Sequence, residues 1–132
     1  MKNKCVFIPG VLLIVGCMLA ACDNPNSEET GPLVGTSWER KYTASGSYGI
    51  NQTNTYSFTG SSTGKFTRTG WYKINNKTTY YNGGEDYNFT YNYSPEMKTG
   101  AIIQNGTTTG VFTISGDFKT LSFTSGSPYT RK

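Results

Sequence analysis

The chain has 132 residues with a formal net charge of +4, and 14% of its residues are aromatic. It contains no histidine, which excludes Ser-His-Asp and Cys-His nucleophilic catalysis and a histidine-ligated haem. The length suits a single domain.

The N-terminal segment has the pattern of a secretory signal. Lys2 and Lys4 precede an apolar run from residue 6 to residue 19, and two alanines then lead to Cys22. A basic start, an apolar middle and small residues at the end are typical of a cleaved export signal. A proline and a glycine interrupt the run, which is shorter than the about 20 residues that a membrane-spanning helix needs. A cleaved signal followed by a cysteine at random is the alternative interpretation.

The run Leu19-Ala20-Ala21-Cys22 resembles the lipobox of bacterial lipoproteins. The resemblance implies a signal peptide over residues 1–21 and a palmitate-type lipid on Cys22, with the membrane as partner through this lipid anchor. The expected location is the bacterial cell envelope, at the outer membrane or the cell surface. Acidic residues soon after Cys22 fit surface export, whereas Asp23 resembles a signal for retention at the inner membrane, so the membrane is left open.

The same resemblance implies that the mature protein has no free thiol. Cys5 and Cys17 leave with the signal and lipid occupies Cys22, so we expect no disulfide and no Cys/His zinc site. The 8 acidic residues are typical of a solvated surface. We therefore expect a protein that is not an enzyme, with no catalytic residue, metal or cofactor. Its basic residues are scattered, which gives no indication of nucleic-acid binding.

Residues 22–35 are predicted to form a flexible tether, and residues 36–132 one all-β domain. The stretch DNPNSEETGP after Cys22 is polar and rich in proline, a composition that does not build a core. From Thr36 onward apolar and polar residues alternate with a period of two, which is typical of strands. The clearest case is Tyr87, Phe89, Tyr91 and Tyr93, whose shared face we expect to lie in the core.

Short turns rich in Gly, Ser and Asn separate the predicted strands, and Asn105-Gly106 is a strong hairpin signal. Each strand then neighbours the next, and a sheet of eight or nine strands hides its edges by closing. We predict a small antiparallel up-and-down barrel of about 8–9 strands, with a two-sheet sandwich as the alternative. Residues 44–53 are ambiguous and Gly70 is a candidate bulge. The predicted strands are 36–43, 54–59, 65–74, 78–82, 86–94, 99–104, 108–114, 119–124 and 127–131.

The stretch Leu33-Val34-Gly35-Thr36-Ser37-Trp38-Glu39 resembles the opening strand of lipocalin-like barrels, in which a glycine precedes a tryptophan. Two residues separate Gly35 from Trp38, whereas the familiar lipocalin spacing has one. The closing Tyr129-Thr130-Arg131 agrees with the resemblance. In that family a basic residue near the C-terminus packs across the first tryptophan. The resemblance thus implies a cation–π contact between Arg131 and Trp38, a structural staple between the first and last strands.

Tyrosine dominates the candidate binding surface. Tyr80 and Tyr81 are neighbours on one predicted strand, so one of them should point outward, and a rigid ring with a polar tip suits recognition. Met97 lies in the turn between two predicted strands. A methionine there either projects as an apolar knob or, more commonly, folds back onto the barrel. The loop from residue 75 to residue 86 ends in two acids and is expected to be an exposed turn, with a calcium site as the alternative.

These features predict a non-enzymatic envelope lipoprotein that acts as a binding or protein-interaction module. An alternative is an inhibitor of a protease or another hydrolase, which needs a protruding loop and no catalytic group. Potempin-type inhibitor lipoproteins have a comparable size and anchor. A further alternative is a binder of a small apolar ligand, although a barrel filled with aromatic side chains leaves little interior space.

Overall fold

The computed structural model describes residues 31–132, which form one antiparallel nine-stranded sheet. The predicted signal, Cys22 and most of the predicted tether lie outside the described residues. In the described range no helix has the length and apolarity to cross a membrane. The strands are β1 (Ser37–Ala44), β2 (Ile50–Phe58), β3 (Thr63–Ile74), β4 (Lys77–Tyr80), β5 (Tyr87–Ser94), β6 (Thr99–Gln104), β7 (Thr107–Ile114), β8 (Thr120–Phe123) and β9 (Tyr129–Arg131).

Eight of these strands close into an up-and-down barrel. Their order around the sheet is β2-β1-β9-β8-β7-β6-β5-β3, and a further pairing of β2 with β3 joins the two ends. The extra strand, β4, pairs with residues 71–74 of β3, whereas residues 63–66 of β3 pair with β5. The all-β barrel prediction is confirmed, and the sandwich alternative is wrong. The closed antiparallel barrel is compatible with a lipocalin-like barrel.

The predicted strand ends differ most from the structure at β2. This strand begins at Ile50, inside the segment that the sequence pattern left ambiguous. Gly70 is not a bulge, because the register between β2 and β3 runs through it without a shift. The register shift lies instead between Ile102 and Ile103, where β6 pairs with β7. Asn105 and Gly106 both have positive φ, 49° and 76°, as the predicted hairpin turn requires.

The core is formed by every second residue of the strands, because these residues face the inside of the barrel. On β5, Phe89 and Tyr91 are buried, whereas Tyr87 and Tyr93 are half-buried and pack against the core. The aromatic face that the alternation predicted is therefore present. The buried apolar side chains are Leu33, Trp38, Phe58, Phe66, Phe89, Tyr91, Ile102, Phe112, Ile114, Leu121 and Tyr129.

Two inward glycines make room for phenylalanine rings on neighbouring strands. Gly64 lies opposite Phe89, and Gly100 lies opposite Phe112. A Cβ atom at Gly64 would come within 2.3 Å of the Phe89 ring, and one at Gly100 within 2.4 Å of the Phe112 ring. Such distances are far below van der Waals contact, so a larger residue at either position would displace a core ring.

One end of the barrel is sealed by a turn before β1, and we call it the closed end. Gly35 N donates to Phe58 O at 2.8 Å and Leu33 is only 1% exposed. Trp38 is fully buried, and its Nε1 donates to Thr36 Oγ1 at 3.0 Å. Residues 31–35 belong to the predicted tether, and within them Leu33 is buried with the core residues at this end of the barrel.

We expect Trp38→Ala to lower the free energy of unfolding by about 3–5 kcal/mol, because the substitution leaves a large cavity in the core. The matched control is Trp71→Ala, since Trp71 is half-buried and its loss should cost about 1 kcal/mol. Urea unfolding followed by far-ultraviolet circular dichroism measures both. A loss below about 1 kcal/mol for Trp38→Ala would contradict the sealing role of this residue.

Candidate binding site at the open end of the barrel

The end opposite Trp38, which we call the open end, contains two adjoining cavities of about 430 and 580 Å³. They share four lining residues, Arg40, Tyr56, Tyr87 and Tyr129. Volumes of this size are typical of small-molecule sites. The expected filling of the barrel by aromatic side chains therefore applies to the half near the closed end, and the other half has room for a ligand.

Strand alternation places the polar residues of the open end. Arg40 is two residues after the buried Trp38 on β1, and Arg68 is two residues after the buried Phe66 on β3. Asn54 has the same parity as Phe58 on β2. Since every second residue of a strand shares one face, these side chains share the inward face with the core residues.

One wall of the larger cavity is a chain of side-chain hydrogen bonds on β2 and β3. Tyr81 OH donates to Gln52 Oε1 at 2.8 Å, and Gln52 Nε2 donates to Asn54 Oδ1 at 2.5 Å. Arg68 Nε donates to the same Asn54 oxygen at 3.2 Å, and Arg68 also forms an ion pair with Glu85. Gln52 and Asn54 are 7% and 5% exposed, so their partners offset the cost of burying two amides.

The wall beside it is built around Arg40, because β1 pairs with β2 and Arg40 is the register partner of Asn54. Its guanidinium carbon lies 4.3 Å from the centroid of the Tyr42 ring and 4.7 Å from that of Tyr129. Its Nη1 donates to the backbone oxygen of Ser127 at 2.5 Å. The two rings and the carbonyl fix the guanidinium where both cavities meet.

Two tyrosines, Tyr56 on β2 and Tyr87 on β5, line both cavities. Tyr56 and Tyr87 are within hydrogen-bond distance, with 3.3 Å between their hydroxyl oxygens. Burial raises the pKa of Tyr56 far above its ordinary value, and the hydrogen bond with Tyr87 raises it further. Burial also raises the pKa of Tyr81. The Tyr81 hydrogen is already donated to Gln52. In the Tyr56–Tyr87 pair one hydroxyl donates to the other, and the hydrogen of the second can be donated to an acceptor on a ligand.

No protein-family model matches the chain, and no curated protein or solved structure matches it significantly. The geometry of the open end is therefore the basis for assigning a function.

Arg131 and Trp38, the predicted structural staple, face each other across β9 and β1. They are register partners, and the guanidinium carbon lies 6.0 Å from the Trp38 ring. Both belong to the closed end. Their contribution to stability stays a prediction, and they take no part in lining the two cavities.

The structure does not bring the three candidate surface residues together. Tyr80 is 64% exposed opposite Trp71, whereas Tyr81 is half-buried and joins the polar wall, as alternation along a strand requires. Met97 lies between β5 and β6 at the closed end, far along the barrel from Tyr80. The expectation that it folds back is wrong, because its side chain is 71% exposed.

The acidic pair after the loop from residue 75 is engaged by basic residues. Glu85 pairs with Arg68, and Asp86 Oδ2 lies 3.5 Å from Lys65 Nζ. Asp86 Oδ1 also accepts a hydrogen bond from Arg68 N at 3.1 Å. Among residues 31–132 no three acidic, cysteine or histidine side chains are grouped as metal ligands.

Sequence reasoning missed the polar residues of the open end. Arg40, Gln52, Asn54 and Arg68 were not singled out, although three of them share the parity of a core aromatic on their own predicted strand. A charged or amide side chain at inward parity is the signal that identifies them. Gln52 was hidden because its strand was predicted to begin two residues after it.

We expect the free energy of unfolding to be constant from about pH 6 to 9, because the chain has no histidine, and to fall above about pH 10. A tyrosine with a raised pKa stabilises the fold fully below its unfolded pKa and loses that contribution as the pH rises through its folded pKa. Tyr56→Phe should reduce the alkaline loss, whereas Tyr80→Phe, an exposed control, should leave it unchanged. Urea midpoints across the pH range measure the effect. Equal alkaline losses in both variants would contradict the assignment.

Proposed function

We propose that this protein is a lipid-anchored, non-enzymatic binding module of the bacterial cell envelope, at the outer membrane or cell surface, and that a small ligand enters the open end of the barrel. The observation that carries the proposal is the pair of adjoining cavities of about 430 and 580 Å³ around Arg40. They are lined by side chains that donate hydrogen bonds and by flat aromatic rings. This combination recognises a ligand and provides no nucleophile paired with a base.

The position of the described N-terminus supports an anchored module. Gly31 lies at the closed end, where Val34 N donates to its carbonyl oxygen at 2.9 Å. A lipid on Cys22 would thus be joined to the closed end by a segment that spans at most about 30 Å when extended. The open end would then point away from the membrane and stay accessible to a ligand or a protein partner.

A second candidate function is inhibition of a hydrolase. The turn between β5 and β6 presents Met97, a residue that is 71% exposed, and Lys98 has a φ of 53°. An exposed apolar tip held between two paired strands is suited to entering a partner's pocket. This candidate uses the closed end and therefore predicts different sensitive residues.

Metabolic labelling tests the anchor. Cells that express the full-length protein with labelled palmitate should place label on the wild-type chain and none on Cys22→Ser, because the lipid is carried by the Cys22 sulfur. Cys17→Ser is the matched control and should keep the label. An unlabelled wild-type chain would contradict the proposed anchor.

Native mass spectrometry of the full-length protein from its own envelope tests the ligand. We expect an added mass on the wild type that is lost in Thr109→Trp, since Thr109 lines the smaller cavity and an indole there would fill it. Thr108→Trp, the adjacent exposed position that lines neither cavity, should retain the mass.

The same samples distinguish the two candidate functions. A bound mass that persists in Thr109→Trp would contradict binding in the smaller cavity of the open end. A co-purified hydrolase that is lost in Met97→Ser and kept in Thr109→Trp would support the inhibitor instead.

A further inference from the structure

Arg40 carries a charge that no described carboxylate neutralises. The ion pairs among residues 31–132 involve Lys41, Lys65, Arg68, Lys119 and Lys132. Arg68, the other arginine that lines the larger cavity, is paired with Glu85. The open end therefore contains one neutralised guanidinium and one whose counter-charge is missing from the described protein.

The guanidinium of Arg40 also has unused donors. It offers five N–H groups, and within the described chain its hydrogen bond is the one from Nη1 to Ser127 O. Its Nε is buried and has no partner. A buried donor without an acceptor is unfavourable. The two Nη groups keep further N–H donors, which are available to a charged acceptor in the cavities that Arg40 lines.

The position of Arg40 is fixed before any ligand arrives. Tyr42 and Tyr129 flank its guanidinium at 4.3 and 4.7 Å, and the loop from residue 124 to residue 128 supplies the Ser127 carbonyl. A Cβ atom on Gly126 would come within 2.8 Å of Nη1, so this loop lies close against the arginine. Little side-chain freedom remains to be lost on binding, which favours affinity.

We propose that the open end binds a small planar organic carboxylate, with its carboxylate on the Arg40 guanidinium and its flat body among Tyr56, Tyr87 and Tyr129. The inference rests on the proposed function and names its ligand class. A carboxylate matches the planar fork of an arginine, and a single negative charge matches the one arginine lining these two cavities that has no ion pair among residues 31–132. The three tyrosines line both cavities together with Arg40, so a ring placed beside the guanidinium contacts their rings.

The test compares two probes with the same ring, para-trifluoromethylbenzoate and para-trifluoromethylbenzamide, in which a neutral amide replaces the charged carboxylate. Fluorine NMR titrates each into the full-length protein purified in dodecyl maltoside, with protein-free micelles as reference. We expect the benzoate to bind at least about 10-fold more tightly than the benzamide, because a hydrogen bond to a charged group contributes more than a neutral one. This comparison requires no variant. Equal affinities, or no benzoate binding at millimolar concentration, would overturn the proposal.

Variants then identify the residue whose positive charge binds the benzoate. Arg40→Gln should remove the preference for benzoate, and Arg40→Lys should retain part of it, because the charge remains and the fork is lost. Lys41→Gln is the matched control: it removes the same charge from the next residue of β1, where the side chain is 72% exposed. It should bind benzoate as the wild type does. Circular dichroism verifies that each variant is folded, and Thr109→Trp, which keeps Arg40, should weaken the binding of both probes because its indole occupies the smaller cavity.

The outcomes separate this inference from the function on which it rests. If both probes bound equally and Thr109→Trp weakened their binding, the proposed carboxylate class would be overturned. The proposal that the open end is a ligand site would still be supported. Benzoate binding that survives Arg40→Gln but not Lys41→Gln would overturn the assignment of Arg40.

Discussion

Closure of the barrel is the constraint on which the rest of this structure depends. The pairing of β1 with β9 and of β2 with β3 closes eight of the nine strands into a tube with an inside. Once the tube is closed, every second residue of each barrel strand faces that inside. Any polar residue at an inward position must then find a partner within the barrel or line a space that water or a ligand can reach.

The same alternation builds both the core and the candidate site. On β1 the inward residues pass from Trp38 at the closed end to Arg40 and Tyr42, and on β2 they pass from Phe58 to Tyr56 and Asn54. The burial of apolar side chains near the closed end stabilises the barrel. Polar residues at the inward positions of the open end reduce this stabilisation. The hydrogen bonds among Gln52, Asn54 and Arg68 limit the loss.

The local sequence pattern was sufficient to predict the strands and the residues that face the core. It was insufficient to predict the candidate site. The alternation around Phe89 and Tyr91 predicted their burial, because period two is a property of neighbouring residues. The ends of the barrel depend on strand direction and register, which only the whole fold defines. For this reason Met97 and Tyr80 were assigned to one surface although they lie at opposite ends, and Arg40 was not recognised as an inward charge.

The open end differs from the closed end in how its wall is made. Between Phe66 and Trp71, the residues of β3 have β2 on one side and the loop from residue 81 to residue 86 on the other. Two hydrogen bonds, from Tyr81 N to Gly70 O and from Arg68 N to Asp86 Oδ1, join the loop to β3. The barrel thus has a seam at which loop contacts and ion pairs replace strand pairing. For the proposed ligand, these few contacts would set the upper limit on size at this side of the entrance, not the circumference of the sheet.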